Sequence, residues 1–289
     1  MISVGLCTSS RSERHLMEAL QKEIPNSELY EIYHPFLSET PHSIETDFDF
    51  LIIPADRSEM TKFAVELFHR NIPFVHFLAG SRSYSFTHDD INRQMISLMA
   101  NFCFGESPEA CRNLHEMGIP NDRMLLTGTS HFDGITMQDI EANKPKTDTI
   151  PSKNPHYYDL VLINPQTQQH PPNENINKIS DMQYHIIKAN EDSQNIDIGI
   201  ELTHLEFLWM LHNAHCFISN SSAGHYELPY LQKFYGSKCK WINPSQRNKE
   251  RTPIPPEYCR GASKIIADWC ANVDLEWLKT PKRLFCKQS

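Results

Sequence analysis

Short apolar runs alternate with longer helical patterns through the first half of the chain, and this alternation most constrains what it can fold into. Ile2–Cys7 and Phe50–Ile53 are apolar enough for buried strands, and Glu13–Lys22 has the spacing of an amphipathic helix. Such alternation is typical of βαβ units around a parallel sheet. The same pattern predicts strands at Phe74–Phe77, Phe102–Phe104 and Met124–Thr127, and helices at Thr61–Arg70, Asp89–Ala100 and Glu109–Glu116.

A polar, proline-bearing stretch from Glu141 to His156 predicts an interdomain linker. The 289 residues are enough for two domains with separate cores. We therefore expect an α/β protein whose domains, residues 1–150 and 151–289, are Rossmann-like and turn their parallel sheets toward a central cleft. Whether the last helix packs back on the first domain is left open. In the second half, strands are predicted at Tyr158–Ile163, Cys216–Ser219 and Trp241–Ile242, and helices at Ser180–Ala189, Leu205–Leu211, Gly224–Leu231, Ile265–Cys270 and Leu275–Leu278.

Charge and composition exclude several classes of protein. The net charge of −9 argues against a general binder of nucleic acid or acidic membranes, because both need clustered Lys and Arg. No segment approaches the roughly 18 apolar residues of a membrane helix, and the N-terminus has no basic region typical of a signal peptide, so we expect a cytosolic protein. The eight cysteines are scattered without a CxxC pair, which favours reduced thiols and predicts no metal site.

Two polar turns that follow predicted strands could bind an anion. Thr8–Glu13 is a Ser-rich turn before a helix, where Ser10 and Arg11 could hold a phosphate, although such a turn is more often only a helix cap. In the turn Ser219–Gly224, small residues and hydroxyls let a diphosphate approach the backbone. A carboxylate one turn later, Glu227, could accept ribose hydroxyls. The candidate diphosphate residues there are Asn220, Ser221, Ser222 and Gly224.

Acidic and basic side chains near strand ends are the candidates for acid–base chemistry. Asp56 directly follows a strand, which favours a functional role. Asp89 and Asp90 begin a helix, where the helix dipole stabilises carboxylates whatever their function. The arginines in or beside the loops are Arg82, Arg93, Arg247 and Arg251, and for each one alone a solvated surface position is the simpler interpretation.

The order and spacing of these segments resemble the UDP-N-acetylglucosamine 2-epimerase family. Thr8–Glu13 is similar to its TGTRxE turn, Pro54–Asp56 to its GD strand end, His76–Arg82 to HxEAGxR, and Asp89–Arg93 to PEExNR. In the second half, Asn164–Thr167 resembles HPxT, Ser219–Glu227 the gNSSgGixE nucleotide loop, and Gln246–Arg251 a variant of RQxxR. The resemblance covers most of the chain and implies a GT-B fold.

The resemblance implies a site for a UDP-sugar and assigns roles to its residues. Catalytic roles fall to Asp56, Asp89, Asp90 and Arg82. The residues expected to bind UDP or the sugar are those named in the two polar turns (Ser10, Arg11, Asn220, Ser221, Ser222, Gly224 and Glu227) and Asn164, Thr167, Gln246, Arg247 and Arg251. No cofactor is implied, and the family analogy suggests a homodimer.

Two departures from the family pattern affect the sugar side. Leu78 stands at the acidic position of HxEAG, and leucine can neither transfer a proton nor accept a hydrogen bond. Asn164 stands at the histidine position of HPxT and has no useful pKa. Three hypotheses therefore stay open: a 2-epimerase, hydrolysing or not, that feeds sialic-type sugar synthesis; a UDP-sugar enzyme with altered chemistry, such as a GT-B glycosyltransferase; and a non-catalytic UDP-sugar-binding homologue.

Overall fold

The fold is taken from a computed structural model, which describes residues 2–32, 47–83, 88–146, 158–163, 184–186, 200–244 and 251–282. By their contacts these residues form two units. The first comprises Met1–Arg82, Asp89–Asp133 and Arg260–Ser289, and the second comprises Ser83–His88 and Gly134–Cys259. The expected linker lies partly outside the described residues, so the boundary at residue 150 stays a prediction.

The first unit contains a six-stranded sheet in which every neighbouring pair of strands is parallel, in the order β2-β1-β3-β4-β5-β6. Its central strands are buried along their whole length, as expected for a sheet covered on both faces. The strands are β1 (Val4–Thr8), β2 (Ser27–Glu31), β3 (Phe50–Pro54), β4 (Phe74–Ala79), β5 (Phe102–Gly105) and β6 (Met124–Leu126).

Helices from both ends of the chain cover this sheet. On one face, α1 buries Leu20 in the same apolar cluster as Ile266 and Leu278 from the C-terminal segment. On the other face, α2 and α3 contribute Met60 and Ile96. The helices of the unit are α1 (Arg11–Glu23), α2 (Ser58–His69), α3 (Asp89–Met99), α4 (Pro108–Glu116), α8 (Ala262–Asn272) and α9 (Leu275–Lys279).

An aromatic cluster fixes the C-terminal segment on the first sheet. The Trp269 ring of α8 lies 4.7 Å from the ring of Phe102 and 5.1 Å from that of Phe104. Arg123 stacks 3.9 Å from the centroid of Trp277, and the side-chain amide of Asn101 donates to the Leu278 carbonyl at 3.0 Å. Residues 260–282 are therefore part of the first unit's core.

The second unit is built on a smaller parallel sheet with the order β10-β9-β7-β8. Leu160 and Phe217 of its strands are fully buried together with Leu211 and Leu231 of its helices. The strands are β7 (Asp159–Leu162), β8 (Tyr184–Ile186), β9 (Cys216–Ser219) and β10 (Lys240–Ile242), and the helices are α5 (Met137–Ala142), α6 (His204–Asn213) and α7 (Glu227–Tyr235).

Three local predictions differ from the structure. Ser27–Glu31 was not predicted as a strand, because it is a half-buried edge strand without a continuous apolar run. The predicted helix at Ser180–Ala189 is wrong over Tyr184–Ile186, which pair with β7 as an edge strand, and its other residues lie outside the described part. Helix α7 begins at Glu227, three residues later than predicted, because a 3₁₀ turn at Ser222–Gly224 precedes it.

Among the described residues, no helix combines the length and apolar character needed to cross a membrane.

Neighbouring isoleucines of α8 provide a test of how the C-terminal segment contributes to stability. Ile266 is fully buried, whereas Ile265 is 40% exposed. We expect Ile266→Ala to lower the unfolding free energy by about 2–5 kcal/mol, because it leaves a cavity against the first sheet. The control Ile265→Ala should change it by no more than about 0.5 kcal/mol. Urea unfolding followed by tryptophan fluorescence measures both, and equal effects would contradict the packing described.

Candidate functional site

The strand order of the first sheet places its topological switch point between β1 and β3. In open α/β sheets of this order, ligands bind beyond the carboxyl ends of the strands at that point. Ser9 and Ser10 follow β1, and Ala55 and Asp56 follow β3. Two of the sequence-predicted segments thus occupy the position that the topology favours for a ligand.

Arg93 joins Asp56 and Asp90 in an ion-pair group that we call the Arg93 cluster. Its guanidinium pairs with Asp56 through Nη2, and Nη1 lies 3.4 Å from Asp90 Oδ1 and donates to the Ser81 carbonyl at 3.0 Å. The Arg93 side chain is 9% exposed, while those of Asp56 and Asp90 are 19% and 18% exposed. One buried cation therefore holds two carboxylates that are still open to solvent.

His76 hydrogen-bonds to Ala55, the residue before Asp56, and is held in one tautomer. Nε2 lies 2.7 Å from the Ala55 carbonyl, which can only accept, so Nε2 carries the proton and Nδ1 accepts from Ser97 Oγ at 2.8 Å. Burial lowers the pKa of His76 to about 4. The ring is neutral near pH 7 and fixes the backbone carbonyl next to Asp56.

Leu78 is packed as a core residue at the end of β4. It is 7% exposed and belongs to the apolar cluster under the sheet. Its φ of 60° is left-handed, and the pairing of β4 with β5 shifts register between Phe77 and Ala79. Ala55 at the end of the neighbouring strand also has a left-handed φ, 58°. Such backbone is strained for non-glycine residues, and strain of this kind often occurs at functional sites.

The other predicted residues of the first unit have these positions. Asp89 is the first residue of α3, and Arg82 lies 3.7 Å from Glu116 of α4. Ser10 caps α1 by accepting from the Glu13 backbone amide, so its helix-cap interpretation is correct. The side chain of Arg11 lies outside the described part.

Glu13 is buried beside the β1 turn and was not predicted as a site residue. Its Oε2 accepts from the backbone and hydroxyl of Ser9 at 2.8 and 2.9 Å. Burial raises its pKa, against those hydrogen bonds and the positive charge of Arg57. Glu13 therefore stabilises the turn through its two hydrogen bonds from Ser9.

In the second unit, the switch point lies between β7 and β9, and the turn after β9 is tightly hydrogen-bonded. We call residues 219–224 the β9 loop. Ser219 Oγ donates to the Leu162 carbonyl at 2.6 Å and accepts from the Ser221 amide at 2.9 Å. Ser221 Oγ accepts from the Ala223 amide and begins the 3₁₀ turn that contains Ser222. Asn220 is fully buried. These contacts fix the loop's shape in advance of any ligand.

Gly224 is required by packing. A Cβ at this position would lie 2.3 Å from the Trp241 ring, so no larger residue fits unless that ring moves. The same indole donates to the Ser219 carbonyl at 2.9 Å, and the His225 ring packs edge-on against it at 4.6 Å. Trp241, which the sequence did not single out, therefore holds both ends of the β9 loop.

Glu227 combines burial with an unsatisfied oxygen. Its Oε2 is buried and has no hydrogen-bond partner among the residues that the structure describes, and burial raises its pKa to about 7, although the positive charge of Arg251 acts in the opposite direction. Arg251 donates to the Tyr226 hydroxyl and stacks 4.7 Å from that ring's centroid. His204 Nε2 lies 4.0 Å from Glu227 Oε1. Glu227 and Arg251, two predicted site residues that lie 24 positions apart in the sequence, thus interact electrostatically in the structure.

Four predicted site residues lie outside the described part of the chain: Asn164, Thr167, Gln246 and Arg247. Besides Glu13, the residues that sequence reasoning missed are His76, His204, Tyr226 and Trp241. His76 was visible within the HxEAGxR-like segment, but only the structure shows its two hydrogen bonds. For the other three no local sequence signal marks the contact, because each depends on how distant elements pack.

The raised pKa of Glu227 predicts a pH-dependent stability. In the folded chain Glu227 keeps its proton up to about pH 7, whereas the unfolded chain releases it near the ordinary value of 4.5. The native state thus binds more protons between these values, so this group's contribution to the unfolding free energy falls as pH rises through the interval. In Glu227→Gln that fall is absent. Relative to wild type, the variant should gain about 2–3 kcal/mol between pH 4.5 and 8.

Urea unfolding of the ligand-free protein at several pH values measures this difference. The exposed Glu201, changed to Gln, is the control and should show no such trend. A flat difference between wild type and Glu227→Gln would mean that Glu227 is not buried as described.

Comparison with known proteins identifies the family. The family model for UDP-N-acetylglucosamine 2-epimerase matches residues 36–185, which is more than half of the 289 residues. The UDP-N-acetylglucosamine 2-epimerase of Neisseria meningitidis serogroup A is 25% identical over 48% of this chain. A hydrolysing UDP-N,N'-diacetylbacillosamine 2-epimerase of Legionella pneumophila is 32% identical over 35% of this chain. The chain spans 38% of the length of the first relative and 24% of the second.

Solved structures share the fold. The S. aureus MnaA–UDP co-structure aligns with a TM-score of 0.65 and 14% identity, over 96% of this chain and 90% of that one. The UDP-GlcNAc 2-epimerase of Methanocaldococcus jannaschii, solved with UDP-GlcNAc and UDP, aligns with a TM-score of 0.65 and 13% identity, over 93% and 99%. The likeness confirms the expected fold class, an α/β protein of the GT-B type with two Rossmann-like domains. On its sequence match and its fold, this chain is a member of the UDP-N-acetylglucosamine 2-epimerase family.

Proposed function

We propose that this protein is a UDP-N-acetylglucosamine 2-epimerase-like enzyme that acts on a UDP-activated N-acetylhexosamine. The observation that carries the proposal is the Arg93 cluster, in which Asp56 and Asp90 share one guanidinium beyond the carboxyl ends of the first sheet. Two carboxylates near one reacting carbon are what proton removal and return require. Membership of the epimerase family supports the same reaction.

The proposed reaction begins at C2 of the sugar. A carboxylate of Asp56, Asp89 or Asp90 takes the C2 proton, the C1–O bond to the diphosphate breaks, and UDP leaves with the electron pair to give a 2-acetamidoglucal. In a non-hydrolysing enzyme UDP adds back and C2 is protonated on the opposite face. In a hydrolysing enzyme water adds instead, and N-acetylmannosamine and UDP are released. Arg82 is proposed to bind on the sugar side.

The second unit supplies the proposed UDP-binding residues. The β9 loop offers Asn220, Ser221 and Ser222 close to backbone amides, and the unsatisfied oxygen of Glu227 can accept a ribose hydroxyl. Arg251, with Arg11 and Arg247, is proposed to neutralise the departing diphosphate. Binding of UDP to the S. aureus and M. jannaschii proteins of the same fold supports a uridine nucleotide as ligand.

Leu78 favours a second candidate function. A leucine stands at the acidic position of the family motif, and it is buried in the apolar cluster. A UDP-sugar enzyme with altered chemistry, such as a GT-B glycosyltransferase, or a non-catalytic UDP-sugar-binding homologue needs no acid there. The hydrolysing reaction, a role in sialic-type sugar synthesis, a cytosolic location and a homodimer are further proposals that rest on the family analogy.

Proton NMR in deuterated water with UDP-N-acetylglucosamine tests the reaction. We expect deuterium to appear at C2, together with UDP-N-acetylmannosamine or with free N-acetylmannosamine and UDP. Asp56→Asn should slow deuterium incorporation by about 10²-fold or more, because it removes a proton-transferring group. The exposed Asp268, changed to Asn, is the control and should leave the rate within about twofold.

Saturation transfer to the uridine protons separates the remaining outcomes. Uridine binding that persists in Asp56→Asn shows that the variant is folded and has lost only the chemistry. An unchanged sugar spectrum with bound uridine in the wild type would overturn the epimerase proposal for this substrate and favour the second candidate.

A further inference from the structure

Three potential metal ligands from two neighbouring strands meet at the amino end of the second sheet. Asp159 begins β7, Cys216 begins β9, and His215 immediately precedes Cys216. One ligand atom from each lies within 4.8 Å of the other two. Parallel pairing sets Asp159 directly beside Cys216, and the His215 amide donates to the Tyr158 carbonyl at 2.9 Å. The convergence is thus fixed by the backbone register, although 56 residues separate Asp159 from His215.

The polar contacts of the group place two protons where a cation would sit. His215 Nδ1 lies 3.2 Å from Asp159 Oδ1, and the Cys216 thiol also hydrogen-bonds to Asp159. A divalent cation that displaces these protons would receive an imidazole nitrogen, a thiolate and a carboxylate oxygen. Around tetrahedral Zn²⁺ such atoms lie roughly 3.3–3.6 Å apart, compared with 3.2 Å for the His215–Asp159 pair and no more than 4.8 Å for any pair of the group.

Burial and access suit a metal site. The Asp159 side chain is 4% exposed and Cys216 is buried, whereas the His215 side chain is 59% exposed and leaves a path from solvent. Cys239 is buried next to β10 and interacts electrostatically with Cys216 and Asp159, so a second thiol is close to the group.

We propose that Asp159, His215 and Cys216 bind a thiophilic divalent cation of the Zn²⁺ class. Mixed thiolate and imidazole ligands select zinc over magnesium or calcium. A water molecule would complete a tetrahedral set, because Cys239 is not one of the three grouped ligands. The site lies at the opposite end of β9 from the β9 loop, about 10 Å along the strand, so its role is to tie β7 and β9 together and not to take part in catalysis. It is independent of the proposed reaction.

Binding changes the protonation of the group in a defined way. The Cys216 thiol loses its proton to solvent when sulfur bonds the cation, and His215 moves its Nδ1 proton to Nε2 as Nδ1 becomes the ligand. One proton is therefore released per cation, and the apparent affinity falls as pH is lowered.

Titration of the reduced, metal-free protein with Co²⁺ and Zn²⁺ tests the proposal. We expect one Co²⁺ per chain to give a thiolate-to-cobalt charge-transfer absorption that Zn²⁺ abolishes, with an apparent Zn²⁺ Kd of about 1 μM or tighter. Cys216→Ser should eliminate the absorption, and His215→Ala should weaken Zn²⁺ binding at least about tenfold. Zn²⁺ should also raise the Tm of the wild type but not that of His215→Ala.

Matched variants outside the group control for the other thiols and imidazoles. Cys111→Ser replaces a half-buried thiol of the first unit, and His115→Ala replaces an exposed histidine of α4, so both should bind metal as the wild type does. Because His215 is exposed, its variant stays informative if Cys216→Ser fails to fold. Absence of stoichiometric binding in the wild type, or equal binding in wild type and His215→Ala, would overturn the proposal and leave a hydrogen-bonded group alone.

Discussion

Parallel strand pairing is the constraint on which the rest of the structure depends. Both sheets are parallel throughout, so each strand needs a crossover, and all carboxyl ends within one sheet lie at the same edge. Each sheet begins with its second strand outside its first and its third on the other side, which opens a switch point at the same relative place. Asp56 and the β9 loop both follow strands at these points. A single topological rule thus positions the candidate residues of both units.

Within the first unit, neutral and charged groups have separate tasks. His76 and Ser97 form a neutral hydrogen-bond chain that fixes the Ala55 carbonyl, while Arg93 holds the neighbouring Asp56 by charge. The left-handed backbone at Ala55 turns the chain immediately before that carboxylate. The surrounding hydrogen bonds keep a backbone conformation that would otherwise cost about 1–2 kcal/mol.

Sequence patterns predicted the buried strands well, because strands such as β3 are continuous apolar runs. They failed at the edge strands: β2 is only half-buried and has no continuous apolar run, and β8 pairs along a single edge with β7, where propensity competes with pairing. They placed Asp56 after a strand, Glu227 in the helix after the β9 loop and Arg251 in a loop, but they did not predict the partners of these residues. The electrostatic interaction between Glu227 and Arg251 depends on packing between α7 and a distant segment, and the pairing of Asp159 with Cys216 depends on strand register. Neither interaction can be inferred from the local spacing of apolar residues.

Because the first unit is discontinuous in sequence, its core is completed late during synthesis on the ribosome. Its sheet is complete once Asp133 has been made, but Ile266 and Trp269, which cover one face, follow roughly 130 residues later. At ordinary elongation rates the delay is on the order of ten seconds. During that time the rings of Phe102 and Phe104 lack their final cover. The nascent chain would therefore expose an apolar surface of the kind that chaperones bind.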